Sequence, residues 1–211
     1  MNVGKLMPEI DFIYFDLGKV ILDFDHVAGC KQLAEVAGIS AEEAKAAIFD
    51  SKLADQYETG LINDDQFHAE FCRLTDSSGG KDEILFAISD IFTPVDGTFD
   101  LIAELKGIGF PIGILSNTCS AHWEKVSADY PVLLESFSPV ILSYEVNSMK
   151  PDAKIYDCAI EQAGCHIKKC FFVDDRQENV DGANANGMDA VLFESAIELR
   201  HQLQRRGVPL P

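Results

Sequence analysis

The sequence predicts an α/β fold in which helices cover a parallel sheet and a helical segment is inserted near the start of the chain. From about residue 94 onward, short apolar runs alternate with amphipathic stretches, which is typical of repeated strand–helix units. An isolated apolar run at residues 13–15 precedes a long acidic stretch with helical periodicity. With 211 residues, 47% of them hydrophobic, the chain is long enough for one core and a smaller insertion.

The first predicted strand ends on Asp16, and Gly18 follows two residues later. A short apolar run bounded by a turn former predicts a strand that is buried on both faces. A carboxylate at the end of such a strand lies where open α/β sheets bind their ligands. Taken alone, Asp16 is equally compatible with capping a turn.

The region from about residue 26 to 92 carries helical patterns, at 30–36, 41–49 and 64–74, and no strand pattern. Ser40 and Glu43 predict a capping box at one helix start, and Asn63 predicts an N-cap at another. This region therefore reads as a helical module, residues 25–93, inserted between two parts of the core, residues 1–24 and 94–211.

The rest of the chain supplies the predicted strand–helix units. The predicted strands are 110–115, 139–143, 170–173 and 190–193, and the predicted helices are 98–106, 154–163, 180–186 and 197–205. Polar or charged residues that follow three of the strands, together with one lysine fixed before a proline, should meet at one sheet edge: Asp16, Ser116, Asn117, Lys150, Asp174 and Asp175.

Each piece alone has an ordinary structural explanation as a helix cap, a surface lysine or a turn, but their order and spacing favour a phosphoryl-transfer site. Asp16 would attack phosphorus and form an acyl phosphate. Asp16 and the acidic pair would hold Mg²⁺, which prefers carboxylate oxygens. Ser116 and Lys150 would stabilise the charge on the phosphoryl oxygens.

The same segments resemble the four motifs of the haloacid dehalogenase-like hydrolases. They are FDLGKV at 15–20, ILSNT at 114–118, KPD at 150–152 and FVDD at 172–175, with Asn179 and Gly182-Ala183 beyond. The first motif is also similar to that of the small sugar-phosphate phosphatases of the family, of which α-D-glucose-1-phosphate phosphatase is one. The resemblance implies a Rossmann-like core and a helical cap that closes over the site.

The resemblance also implies individual roles. Asp16 is expected to be the nucleophile, and Lys150 to bridge it and the phosphate. Ser116 and Asn117 are expected to contact the phosphate. Asp16, the Gly18 carbonyl, Asp174 and Asp175 are expected to hold the metal: Asp174 directly, and Asp175 either directly or through water. The expected enzyme is a Mg²⁺-dependent phosphomonoesterase that acts on a small phosphorylated metabolite, a sugar phosphate being the first expectation.

Gly18 departs from the family pattern, because typical phosphatases of the family carry an aspartate there as general acid and base. Losing such a group costs about 10²–10⁴ in rate. Asp23, or Asp25 and His26 at the start of the inserted segment, are candidate substitutes. The alternatives are a 2-haloacid dehalogenase, which the acidic pair beside Asp16 disfavours, and a non-catalytic phosphate-binding relative.

The formal net charge of −18 argues against nucleic-acid or anionic-membrane partners, which need basic surface. The first ten residues are too polar for a signal peptide, and no apolar run approaches the ~20 residues of a membrane span. Six cysteines without a paired spacing fit a reducing compartment, so a cytoplasmic location is expected. Monomer is the default expectation.

Overall fold

Seven strands are found in the computed structural model, which describes residues 9–211, and five of them form a central parallel sheet. The strands are β1 (Phe12–Phe15), β2 (Leu22–Phe24), β3 (Phe92–Pro94), β4 (Ile112–Ser116), β5 (Val140–Leu142), β6 (Cys170–Asp174) and β7 (Asp189–Leu192). The sheet has the order β5-β4-β1-β6-β7, and every neighbouring pair is parallel. Residues 1–8, which the sequence assigns to the core, lie outside the described residues.

The helices of the described chain lie between these strands and after the last of them. They are α1 (His26–Ala37), α2 (Ala41–Lys45), α3 (Leu53–Glu58), α4 (Asp64–Thr75), α5 (Lys81–Ser89), α6 (Thr98–Gly107), α7 (Ser120–Asp129), α8 (Val132–Ser136), α9 (Ser143–Val146), α10 (Ala153–Ala163), α11 (Gln177–Ala185) and α12 (Ala196–Arg205). A π-helical turn, Ala46–Asp50, follows α2, and a 3₁₀ turn, Ile167–Lys169, precedes β6.

The central strand β1 is buried on both faces, because successive side chains point to opposite sides of the sheet. Ile13 and Phe15 join a buried cluster to which α6 and α12 contribute. Phe12 and Tyr14 join a second cluster, which contains side chains of α10 and α11. Complete burial of an aromatic or branched side chain contributes about 1.5–3 kcal/mol. The continuous apolar run in the sequence is thus explained by helices packed on both sides.

The inserted helices α1 to α5 pack around a third buried cluster, which includes Leu33, Ile48, Phe67 and Ile84 and is completed by Cys119 and Ala121 of the core. Both predicted helix starts are confirmed: Ser40 and Glu43 form a capping box, and Asn63 forms one with Gln66. The predicted single helix at 41–49 is instead α2 followed by the π-helical turn. Helices α3 and α5 were not predicted, because α3 has only six residues and the apolar residues of α5 form one continuous run, 84–88, that shows no helical period.

A two-stranded antiparallel ribbon, β2 with β3, lies where the chain enters and leaves the helical segment. It pairs Leu22 with Pro94 and Phe24 with Phe92. The ribbon was not predicted from the sequence, because strands of three residues are too short to show the alternation of apolar and polar side chains. In the described residues, no helix is long and apolar enough to cross a membrane.

Candidate active site

The candidate site lies at the carboxyl edge of the sheet, where three adjacent strands end. Asp16 directly follows β1, Ser116 ends β4 and Asp174 ends β6. Because β4 and β6 both pair with β1, these three side chains are brought to one place. All three are buried, so their polar atoms need partners within the site.

The ammonium group of Lys150 is the centre of the polar contacts. Its Nζ lies 2.8 Å from Asp16 Oδ1 and 2.6 Å from Asp174 Oδ2, and it donates a hydrogen bond of 2.8 Å to the Leu115 carbonyl oxygen. The side chain is 1% exposed. An ammonium has three donors, and here each of them has an acceptor, so the buried charge is fully compensated.

Asn117 holds the backbone of Lys150 in place. Its Oδ1 accepts a hydrogen bond from Lys150 N at 2.8 Å, and its Nδ2 donates to the Lys150 carbonyl oxygen at 2.9 Å. Both polar atoms of the Asn117 side chain are therefore bonded to the backbone of Lys150, the residue whose ammonium contacts Asp16. Ser116 also lines the site pocket, and its hydroxyl makes a long contact of 3.4 Å to the Asn117 carbonyl.

Asp174 is fully buried and accepts several hydrogen bonds. Besides Lys150, its donors are Arg176 N at 2.8 Å and Asn179 Nδ2 at 2.9 and 3.1 Å to its two oxygens. Asp175 is half-buried and lines the pocket instead. One carboxylate oxygen from each of Asp16, Asp174 and Asp175 lies within 4.8 Å of the others, a spacing that could hold a metal ion.

The electrostatics of this cluster follow from burial. Burial raises the pKa of the Asp16 carboxyl, an effect that Lys150 opposes and Asp174 reinforces. Burial also raises the pKa of Asp175, and the nearby charge of Asp174 raises it further. Burial lowers the pKa of Lys150, but the two carboxylates outweigh it and the net shift is upward. Lys150 therefore stays charged, and the carboxylates gain from a further cation.

A pocket of about 160 Å³ opens above these groups, between the sheet edge and the helical segment. Asp16, Gly18, Ser116, Asn117, Lys150 and Asp175 all line it, so the structure brings the predicted site residues together; Asp174 lies behind them. Phe24, at the end of β2, also lines it, as do His26 and Glu58 from the inserted helical segment.

Glu58 and Arg176 also line the pocket, although neither was predicted from the sequence as a site residue. Glu58 is the last residue of α3, a helix without a strong periodic signal, so nothing in the sequence pointed to it. Arg176 directly follows the acidic pair, and that adjacency was the only available signal. Of the suggested substitutes for the missing acid, His26 lines the pocket, and Asp23 and Asp25 are not among its lining residues.

A family model for haloacid dehalogenase-like hydrolases matches residues 10–187, which include every residue of this cluster. The chain belongs to this family. The resemblance read from the four motifs is therefore confirmed, and the site just described is that of a haloacid dehalogenase-like hydrolase.

Curated relatives of this hydrolase include phosphatases and a nucleotidase, and two (S)-2-haloacid dehalogenases of Pseudomonas match half of the chain at 28% identity. The pyrimidine 5′-nucleotidase YjjG of Escherichia coli is 27% identical over 208 residues, covering 94% of this chain and 90% of that protein. The D-ribitol-5-phosphate phosphatase of Bacteroides thetaiotaomicron is 24% identical over 200 residues, covering 90% of this chain and 95% of that protein.

A solved HAD family enzyme from Bacteroides thetaiotaomicron is similar to this hydrolase with a TM-score of 0.80 at 23% identity. The likeness covers 92% of this chain and 98% of that one. The same enzyme in complex with magnesium and inorganic phosphate gives a TM-score of 0.78. The predicted α/β fold class, with its Rossmann-like parallel sheet, is thereby confirmed.

Proposed function

We propose that the protein is a Mg²⁺-dependent phosphomonoesterase that hydrolyses a small phosphorylated metabolite through a phospho-Asp16 intermediate. The observation that carries the proposal is the contact of Asp16 with a buried, fully engaged lysine inside a pocket that two further carboxylates approach. This arrangement combines a nucleophile with positive charge at the place where a phosphate would bind.

Asp16 is well placed to be the nucleophile. Its Oδ1 accepts hydrogen bonds from Lys150 Nζ and, at 2.7 Å, from Leu17 N, which orients the carboxylate. Within residues 9–211 no hydrogen bond to its Oδ2 is recorded, so that oxygen is available to attack. Lys150 and Ser116 are the proposed contacts of the phosphoryl oxygens. Asn117 is the third proposed contact of the phosphoryl oxygens, and its side-chain amide, which the Lys150 backbone engages, is also proposed to position the lysine.

The donor set suits Mg²⁺, which takes carboxylate oxygens and retains water ligands. Asp16, Asp174 and Asp175 are the proposed carboxylate ligands, with the Gly18 carbonyl as a fourth. Asp175 has the freer carboxylate, because Asp174 already accepts from Lys150, Arg176 and Asn179. When bound, Mg²⁺ would offset the negative charges of the carboxylates and the phosphate. The solved relative that holds magnesium and phosphate supports this assignment.

We propose that residues 25–93 form a cap and that residues 1–24 and 94–211 form the catalytic core. The pocket supports this division, because Asp16 and Lys150 line it from one side and His26 and Glu58 from the other. Two hydrogen bonds join the facing surfaces: Ser143 Oγ donates to the Glu58 carbonyl oxygen at 2.5 Å, and Asn147 Nδ2 donates to the Gly60 carbonyl oxygen at 3.3 Å.

The substrate class is proposed only as far as the relatives and the pocket support it. The names of relatives, among them the nucleotidase and the sugar-alcohol phosphatase above, favour a small phosphorylated metabolite, with a sugar phosphate as the first candidate. The acidic cluster weighs against the dehalogenase alternative, since displacement of a halide at carbon needs an unscreened carboxylate. A cytoplasmic location and a monomeric state stay predictions from the sequence.

The test is phosphate release from a panel of sugar, nucleoside and alkyl phosphates, with Mg²⁺ and with EDTA. We expect release that depends on Mg²⁺ and that Asp16→Asn abolishes while the circular dichroism spectrum shows that the fold is intact. Release that survives Asp16→Asn would remove Asp16 as the nucleophile. Chloride release from 2-chloropropionate, with no phosphate release from any ester, would favour the dehalogenase.

A further inference from the structure

The position where a general acid is expected, two residues after the nucleophile, is closed by packing. Gly18 has no side chain, and a Cβ built there would lie 2.8 Å from Cε1 of Phe24. The Phe24 ring therefore occupies the space that an aspartate at this position would need. Hydrolysis of an ester with a poor leaving group still needs a proton donor, so another residue has to supply it.

The candidates that the sequence offered do not fit that role. Asp23 is exposed and forms an ion pair with Lys19. The Asp25 side chain caps α1, accepting from Val27 N at 2.8 Å and Ala28 N at 3.1 Å. Neither carboxylate lines the site pocket.

Three carboxyl groups of the described chain do line the pocket: Asp16, Asp175 and Glu58. Asp16 is the proposed nucleophile, and Asp175 is a proposed metal ligand. Glu58 remains, and it comes from helix α3 of the inserted segment, whereas Asp16 and Asp175 follow strands of the sheet. No hydrogen bond or ion pair to its carboxylate is recorded within residues 9–211, so its proton is not committed to another residue.

Glu58 also borders a second, apolar cavity, which is lined by the helical segment and by Cys119 and His122 of the core. This cavity is small, with a volume of about 40 Å³ against about 160 Å³ for the site pocket, and Leu33, Ile48 and Phe67 are among its walls. Glu58, His26 and His122 line both the cavity and the site pocket. The carboxyl group thus stands at the boundary between an apolar interior and the phosphate site, the surroundings that keep a carboxylic acid protonated near neutral pH.

The titration behaviour of the surrounding groups agrees with this placement. Burial raises the pKa of Glu58 to about 7, Asp55 on its own helix adds to the rise, and Arg176 across the pocket opposes it. Burial lowers the pKa of His122, from α7, to about 4 and also lowers that of His26, from α1. Both histidines are therefore neutral where Glu58 titrates.

The thiol of Cys119 and the phenol of Tyr57, which line the apolar cavity, have pKa values raised by burial. They are uncharged near neutral pH and leave the Glu58 equilibrium unaffected there. On the core side, Lys150 stays positively charged, with its ammonium between Asp16 and Asp174. The charges that face Glu58 and remain near neutral pH are therefore those of Asp55, Arg176 and the site itself.

We propose that Glu58 is the general acid and base that replaces the missing side chain at position 18. The proposal rests on the phosphomonoesterase function proposed above. It assigns to a residue of the helical segment the proton transfers that the sheet edge does not supply.

The two steps balance as follows. Asp16 forms a bond to phosphorus, the bond from phosphorus to the ester oxygen breaks, and that oxygen takes the proton of the Glu58 carboxyl to leave as an alcohol. The Glu58 carboxylate then takes a proton from water while the water oxygen bonds to phosphorus. The bond from phosphorus to Asp16 breaks, which releases inorganic phosphate and restores both carboxyl groups.

The test compares Glu58→Gln with wild type on an alkyl phosphate and on p-nitrophenyl phosphate, both with Mg²⁺. An alkoxide needs a proton to leave, so kcat for the alkyl ester should fall about 10²-fold or more. A nitrophenolate leaves without one, so E58Q should release a burst of p-nitrophenol equal to the enzyme concentration. Slow turnover should follow the burst, because the base for the second step is missing.

Two matched variants complete the design. The first is Asp55→Asn, since Asp55 lies on the same helix as Glu58 and is exposed. This variant should keep the turnover. It should shift the alkaline limb of the pH profile of kcat to lower pH, because Asp55 raises the pKa of Glu58. E58Q should lose that limb. Asp23→Asn should behave as wild type. An equal loss on both esters without a burst, full activity of E58Q, or a selective loss in D23N would each overturn the assignment. Wild-type inactivity on every ester would instead overturn the proposed function.

Discussion

Replacing Lys150 by methionine removes the charge that holds the site together and keeps most of the side-chain volume. Asp16 and Asp174, 2.8 and 2.6 Å from the ammonium in the native protein, then remain as two buried carboxylates without their cation. Removing one partner of a buried ion pair costs about 3–5 kcal/mol. We therefore expect K150M to lower the free energy of unfolding by that amount at pH 8.

The loss in free energy of unfolding should depend on pH, and the direction of that dependence follows from the pKa of Asp16. Its pKa is already raised in the folded protein, and loss of Lys150 raises it further. A carboxyl group with a raised folded pKa favours folding at low pH and opposes it as pH rises toward that pKa. The deficit of K150M should thus shrink at pH 5, where Asp16 binds a proton.

Urea denaturation in EDTA at pH 5 and pH 8 measures both effects, with the exposed Lys154→Met as the matched control, expected within about 0.5 kcal/mol of wild type. Added Mg²⁺ should stabilise K150M more than wild type, since a cation returns to the cluster. A K150M variant within about 1 kcal/mol of wild type at pH 8 would refute the buried ion-pair reasoning.

Three other substitutions have expected effects on stability. E58Q should be more stable than wild type at pH 8 but equal to it at pH 4. A carboxyl pKa raised from 4.5 to about 7 disfavours folding increasingly between those two values and fully above the upper one; the difference, at most about 3 kcal/mol and about 1–2 after allowance for partial exposure, is read from urea melts. Gly18→Asp should lose about 1–3 kcal/mol by overpacking against Phe24, and the G18D/F24A double variant should recover part of it in the same assay. Ser143→Ala leaves the Thr118 N–H and the Glu58 carbonyl without their hydrogen-bond partner and should lower the free energy of unfolding by about 1–3 kcal/mol. The control Ser127→Ala removes only an exposed hydrogen bond and should be nearly neutral. Equal thermal unfolding of the two variants would contradict this expectation.

The sequence predicted the sheet and its polar edge well, because the physics there is local. An apolar run such as residues 12–15 has to be covered on both faces, and a polar residue at its end marks the edge where ligands bind. The contact between Lys150 and Asp16 was predicted only as an expectation from the motifs, since 134 residues separate them. Their pairing depends on the strand order, which no periodicity encodes.

The helical side of the site was much harder to predict. Glu58 closes a helix of six residues, and its role depends on an apolar cavity built from distant helices. The β2–β3 ribbon has the same difficulty, because its three-residue strands form only when two segments about 70 residues apart meet. Elements of this kind are stabilised by tertiary contacts and not by local propensity.

The two sides of the pocket divide the proposed chemistry by the kind of environment each can offer. The sheet edge is rigid and polar, with Lys150 and Asp174 held by several hydrogen bonds, which suits a fixed site for a doubly charged phosphate. A proton donor that works near neutral pH needs the opposite, a carboxyl group beside apolar walls. The ring of Phe24 closes the first side to such a group at position 18, and Glu58 stands where the second side provides it. Acid–base chemistry would then require the helical segment to be docked on the core, so the proton donor would act only when water is excluded from the phosphate site.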